Sequence, residues 1–478
     1  MRGRSRAAQG FLLLGMVAAL PVLAQWEFVP AAELRTIGSD NLQLQGGEER
    51  QSDLIGVINP SFSLSREDDT VDVDLNYSLE AVGYLQADDV NQIFQQIDAG
   101  LEARLLGDHL LLGVGGDLFQ QVVDPENPFI NNNVAVTGNR TDALGLNASA
   151  TWRQSVGGVA DLQISHAQTR LDFDRPELFD SDIASSNLRL ASRQSEQGIT
   201  WAASANLDRV EFGNGLSEAE FSVIQLELGY WVTSGFRVFA TSGVESDFLE
   251  HRSEIEYDTF IWSAGIDWQV AERDQLTLSY GQRAFGDNLR ASWSHQLGEK
   301  LRFNIDYSET PSTNPQASRL QLQQLGLFID NELPGDQVGL DRPGSADSFV
   351  RRRLSTGISA NGNRLGLSLT GYFERRTDRV NGFGVPVVGV EDEESRGVRA
   401  NARWDVGVKT GITVGANWEL ADFVGTGEVE RLTLFSTLSY SLGTRTNLSL
   451  EYRRFDGDGQ AQEFVENRLT FIIGRRFL

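Results

Sequence analysis

From Val71 onward the chain restarts one pattern again and again: a stretch alternating apolar and polar residues, then a tight turn or a polar loop. Val71, Val73, Leu75, Tyr77 and Leu79 share one face of the first clear example, and Asp72, Asp74, Asn76, Ser78 and Glu80 share the other. A strand sends successive side chains to opposite faces, so each stretch is a two-sided ribbon with one apolar side. The pattern still runs at Leu469, Phe471 and Ile473, with no helical domain between. A soluble fold would need a second layer to cover those faces, and this sequence supplies none. A bilayer covers them, provided the sheet closes so that no backbone group is left unpaired in hydrocarbon. The expectation is an all-β fold, a transmembrane antiparallel barrel.

Connection lengths alternate as such a barrel requires. Short turns are expected at Arg66 to Asp69, Gly107-Asp108, Gly157-Gly158, Ser195 to Gln197, Thr233 to Gly235 and Ala271 to Asp274. Others fall at Gly298 to Lys300, Asn361 to Asn363, Gly407 to Gly411 and Gly443 to Arg445. Between them lie longer polar stretches at 38–50, 85–91, 123–140, 172–182, 213–217, 246–257, 285–288, 308–348, 378–394, 423–428 and 456–463. Ten turns and eleven loops make 22 strands, with both termini on the turn side. Counts of 20 or 18 follow if a weak segment such as 28–37 or 186–194 is not a strand. Bacterial barrels place short turns in the periplasm and long loops outside.

The first 24 residues read as a signal peptide: Arg2, Arg4 and Arg6, then an apolar core from Phe11 to Leu20, then Val22-Leu23-Ala24 before a cleavage site. The mature barrel would be 25–478, placed in the outer membrane of a Gram-negative bacterium. Losing those three arginines takes the net charge from −26 to −29, which argues against nucleic acid as a partner. Hydrophobic residues make up 40% of the chain, too few for a helical membrane protein, and no later run reaches the ~18 apolar residues of a spanning helix. Cysteine is absent, which removes disulfide and thiolate chemistry.

Trp152, Trp231, Trp268 and Trp404 precede short turns by a few residues, and Trp201 follows one. Indole rings favour the headgroup level, so these predict a periplasmic aromatic girdle. The final strand, Phe464 to Phe477, puts Leu469, Phe471, Ile473 and Phe477 on one face, with Arg475 interrupting. That is the kind of closing strand the outer-membrane assembly machinery recognises.

Catalytic and metal motifs are missing. His109, His166, His251 and His295 are scattered and lack any ligand spacing, and no nucleophile elbow occurs. Asp456-Gly457-Asp458-Gly459 resembles a fragment of a calcium loop but lacks the spaced ligands and final glutamate, so it reads as an external loop. The acidic run Glu391 to Glu394 reads as a solvated loop, with cation bridging to lipopolysaccharide phosphate as the alternative. No enzyme activity, cofactor or metal is expected.

The lumen face is charged in both signs. Asp72, Asp74, Glu80, Glu102, Arg104, Arg351, Arg353, Glu374 and Arg376 are expected to line the pore. They would either set up a transverse field that screens solutes or pair with one another in the wall. Arg352 falls on the lipid face, within reach of a lipid phosphate. A 22-strand lumen is wide, and transporters of that size fill it with an amino-terminal domain, for which Gln25 to Val29 leave no room. The expected obstruction is therefore the loop 308–348. Its Leu320, Leu322, Leu325 and Leu327 give it a reason to leave water, and its acids Asp330, Glu332, Asp336, Asp341 and Asp347 would line a constriction that favours cations.

The succession Gly38-Ser39-Asp40-Asn41-Leu42, Ile58-Asn59-Pro60, Asn76-Tyr77-Ser78 and Tyr84, with the ending Arg475-Arg476-Phe477, resembles the outer-membrane barrel proteins associated with PEP-CTERM/exosortase systems and exopolysaccharide loci. Leu478 departs from an aromatic terminus. The resemblance implies an unplugged barrel acting as a conduit or assembly component, with outer-membrane lipid, lipopolysaccharide and exopolysaccharide or its export proteins as partners. It supplies no catalytic residues. A general diffusion porin for small solutes is the alternative.

Overall fold

The computed structural model describes residues 26–477 apart from 48, 131, 194–197, 214–217, 247–257, 272, 318–341, 343–344, 381–391, 425–426 and 459–462. The signal-peptide segment, His251, the four loop leucines and four of the five expected constriction acids lie outside the described residues.

Twenty-two antiparallel strands form one sheet. In chain order they are β1 Glu27–Ser39, β2 Asp53–Arg66, β3 Val71–Tyr84, β4 Gln92–Leu105, β5 Leu110–Val122, β6 Arg140–Val156, β7 Ala160–Phe173 and β8 Ser181–Ser192. There follow β9 Gly198–Phe212, β10 Ala219–Thr233, β11 Phe236–Ser246, β12 Asp258–Ala271, β13 Asp274–Arg283, β14 Gly286–Leu297, β15 Leu301–Thr313 and β16 Ser348–Asn361. The last six are β17 Leu365–Val380, β18 Glu393–Asp405, β19 Thr410–Phe423, β20 Gly427–Ser441, β21 Thr446–Asp458 and β22 Glu463–Arg476. Each strand pairs with its chain neighbours, and β1 pairs with β22 from Ala31↔Arg476 to Ser39↔Arg468, so the sheet closes. The weak segments 28–37 and 186–194 supply β1 and most of β8.

The alternation predicts the faces correctly. Leu34, Ile58, Leu146, Ile199, Ile224, Leu369, Leu434 and Leu469 project outward and are exposed. A soluble protein does not leave a continuous apolar belt uncovered. Here the belt encircles a sheet without edges, which is the arrangement lipid requires. The strands run from 10 to 17 residues and most exceed the ~9–11 needed to cross, so several extend beyond the membrane.

Local chemistry sets the turns. Gly157 and Gly158 both have positive φ, +57° and +73°, the backbone a two-residue hairpin demands. In the turn between β2 and β3, Asp68 accepts hydrogen bonds from the hydroxyl and amide of Thr70, the amide of Val71 and the side chain of Arg66. These donors hold its carboxyl well below the ordinary carboxylate range, the Thr70 hydroxyl contributing most.

Trp201, Trp152, Trp268 and Trp404 alternate in register with outward residues, whereas Trp231 lies between the outward-facing Tyr230 and Val232 and so turns to the lumen side. A register shift between Trp231 and Thr233 accompanies it. Trp293, packed on Phe303 at 5.1 Å near the following turn, is a further exposed tryptophan that the turn-offset rule omitted. The supposed external loop 456–463 also shortens: Asp456, Gly457 and Asp458 belong to β21 and pair with Val465, Phe464 and Glu463.

Candidate functional site at the outer mouth

The loop ends of the strands depart from polar-inward alternation. Ile37, Ile55, Val57, Val82 and Tyr84 face inward on β1–β3, Phe423 on β19, Phe455 on β21 and Phe464 on β22, and all are buried. Apolar residues on a lumen face need something other than water against them. Two connections fold inward to meet them.

The loop 123–139 spans the mouth. Val134 packs with Ile37, Ile55, Val57, Val82 and Tyr84 on one side. Phe129 packs with Ala421, Phe423 and Val429 of β19–β20, and Ile130 with Phe455 and Phe464 of β21–β22. The connection between β1 and β2 contributes Leu42 and Leu44 to the same clusters, and the Val136 amide donates to the Leu42 carbonyl at 3.0 Å. Each fully buried aliphatic or aromatic side chain contributes roughly 1.5–3 kcal/mol.

Polar contacts fix the register of this loop. Arg431 donates to the carbonyls of Pro125 (2.7 Å) and Asn127 (3.1 Å), and its guanidinium lies 3.8 Å from the Phe129 ring centroid. The Tyr84 hydroxyl donates to the Val134 carbonyl at 2.8 Å. Asn133 donates to Glu80 at 2.7 Å and accepts from Arg140 at 2.8 Å. Arg342, in the connection between β15 and β16, pairs with Glu126 at the loop's outer bend and with Glu393 of β18 at 3.2 Å. Further along that connection, Ala346 joins a separate cluster with Leu171, Ile183, Val210, Phe212 and Phe221 of β7–β10. The loop 123–139 therefore corrects the expectation that only 308–348 could narrow the barrel.

The expected pore-lining charges pair within the wall. Arg104 binds Asp72 at 2.5 Å and Glu102 at 3.1 Å, and Glu80 binds Arg35 at 2.7 Å. Glu374 gathers Arg351 and Arg353, each at 2.7 Å, and Arg376 at 3.1 Å. Asp74 is exposed and stands on the same wall. Of the constriction acids, Asp347 is described and is half-buried; its carbonyl accepts from the Asn314 amide at 3.2 Å. Arg35, Glu126, Arg140 and Arg431 are site residues the sequence reading missed. Arg35 and Arg431 carried a signal, since Ile37 and Val429 beside them are apolar residues of lumen parity; Glu126 in the loop and Arg140 at its edge carried none.

The described histidines stay apart. His109 contacts the Arg153 carbonyl (2.7 Å), His166 the Ser186 hydroxyl (2.9 Å), and His295 the Asp274 carboxylate.

No protein family matches the chain, and no curated protein matches it. Solved structures do. The FrpB iron transporter of Neisseria meningitidis aligns over 94% of this chain and 81% of its own, with a TM-score of 0.51 and 9% identity. The ferric enterobactin receptor PfeA of Pseudomonas aeruginosa aligns over the same shares, with a TM-score of 0.51 and 10% identity. The siderophore receptor PirA from the same organism aligns over 94% and 80%, with a TM-score of 0.42 and 11% identity. This protein is an outer-membrane-type β-barrel. Among the described residues no separate domain fills its lumen; in-folded loops occupy the outer end.

Proposed function

We propose that the protein is an outer-membrane conduit whose external mouth is kept narrow by its own loops, and that it serves an exopolysaccharide or PEP-CTERM surface-sorting system. The observation that carries the first half is the seating of Phe129, Ile130 and Val134 in three separate apolar clusters of the inner wall. A general diffusion porin needs a standing aqueous passage lined by polar groups. Apolar contacts that carry a loop rooted on β5 and β6 across to β19–β22 favour a passage that must be opened. The second half rests on the sequence layout from Gly38 to Tyr84. The segment Gly38 to Leu42 belongs to the closure between β1 and β22, with Ser39 bound to Glu466 at 2.5 Å and the Asn467 amide donating to Asp40 at 2.7 Å.

Deleting the gene in its host tests the assignment. The expected outcome is loss of surface polysaccharide or of PEP-CTERM protein display, with small-solute uptake unchanged. Intact polysaccharide and display together with slowed uptake would put the porin reading in its place.

A further inference from the structure

The outward face of β16–β18 carries three arginines at the loop end of the lipid-facing belt. Arg352 stands directly opposite Arg375, and Arg396 stands beside Phe373 one row nearer the membrane centre. Leu354 and Phe373, level with Arg396, and Val398 below it are exposed. That boundary between apolar belt and loops is the level of the outer-leaflet headgroups.

The arginines differ in their partners. Arg375 is held by Asp392 at 2.5 Å and Glu394 at 3.3 Å. Arg352 and Arg396 form no ion pair among the described residues. Glu309, opposite Arg352, takes the Tyr307 hydroxyl at 2.5 Å on one oxygen and leaves the other without a hydrogen-bond partner. Elsewhere on the rim the outward arginines are satisfied: Arg170 by Asp172, Arg209 by Glu218 and Arg454 by Asp456.

Beneath the arginines the wall is hollowed. A groove of about 590 Å³ runs over Ile358, Leu369, Ala400, Ala402, Val414 and Ala416 on the outward face. Gly371 lies between groove and arginines. A Cβ there would meet the Gly397 carbonyl and the Thr356 methyl at 3.6 Å, ordinary contact distances, so between Leu369 and Phe373 the outward face of β17 presents backbone without a side chain. From Leu369 to Arg375 is six residues of β17. That is about 20 Å of strand and, with strand tilt, roughly half of the ~30 Å hydrocarbon core.

We propose that this panel binds lipid A, the phosphorylated glycolipid anchor of lipopolysaccharide. Arg352 and Arg396 take its phosphate, with Arg375 fixed between them. One acyl chain follows Gly371 into the groove. Guanidinium forks match phosphate oxygens and hold them strongly where water is scarce. The two guanidiniums without an ion pair select an anionic headgroup and the groove selects a chain. Inorganic phosphate would use only the first.

Native mass spectrometry of the detergent-solubilised barrel titrated with diphosphoryl lipid A tests the site. Three variants are compared: Arg352→Ser with Arg396→Ser, Gly371→Leu, and Arg209→Ser as a control at a paired rim arginine. Heat-dependent electrophoretic mobility reports whether each is folded. The expected result is a tenfold or greater loss of bound lipid A in the first two, and none in the control. Wild-type binding by the double variant would overturn the site, as would equal binding of dephosphorylated lipid A or an equal loss in Arg209→Ser.

Discussion

Glu374 shows how much a single lumen carboxylate can carry. It is 3% exposed and is shared by Arg351, Arg353 and Arg376, while Arg376 also stacks 4.2 Å from the Phe349 ring centroid. Removing one member of a buried ionic group costs about 3–5 kcal/mol, because the charges left behind stay desolvated. Glu374→Ala should therefore lower the temperature at which the barrel loses its folded electrophoretic form. Glu374→Gln, which keeps a hydrogen-bond acceptor for one guanidinium, should lower it less; equal melting of both variants and wild type would show that the cluster adds nothing. The sequence placed all four residues on the lumen face, since parity along a strand is local. It left open whether they face each other across the pore or pair in the wall. That depends on the register of neighbouring strands, such as Arg353↔Glu374, which alternation alone does not define.

Strands and connections were the most legible elements. Every strand follows from alternation plus turn chemistry, because a barrel wall repeats one local rule 22 times, but the connection expected as a loop at 285–288 is the two-residue Ala284-Phe285 between β13 and β14. What escaped was the in-folding of 40–47 and 123–139. The clue lay in Val82 and Tyr84, Phe423, Phe455 and Phe464, apolar residues that break the polar-inward rule near the loop ends. The seam between β1 and β22 follows the same logic. It is drawn together at its outer end by Asp40, which accepts from the Asn467 amide and side chain at 2.7 Å each, and by Asn41, which donates to the Val465 carbonyl at 3.0 Å. Each such bond adds about 0.5–1.5 kcal/mol. Asp40→Ala should speed amide hydrogen exchange in the outer halves of β1 and β22 while leaving β10 and β11 unchanged. Uniform exchange across the barrel would show that the latch does not hold the seam.

At the scale of the molecule, the question is which loop governs the passage. The loop 123–139, rooted on β5 and β6, covers one continuous stretch of wall from β19 through the β22–β1 seam to β3, so its removal uncovers all of that stretch at once. The clusters it leaves would face water, and without 126–136 Arg431 would lose the Asn127 carbonyl and Arg140 the Ile130 carbonyl. Deleting 126–136 should raise single-channel conductance in planar bilayers severalfold and add rapid switching, since the freed loop ends have no fixed seat. Deleting 315–340 tests the other expectation, that the loop's acids confer a preference for cations, by removing Asp330, Glu332 and Asp336 and leaving Asp341 and Asp347 in place. Acidic residues at a constriction attract cations and repel anions, so that deletion should shift the reversal potential in a salt gradient toward zero. A conductance rise on the first deletion with no change of ion preference on the second would assign the gate to 123–139 alone. Unchanged conductance on the first would show that the open route runs elsewhere, along the β7–β16 side where Ala346 meets Phe212 and Phe221.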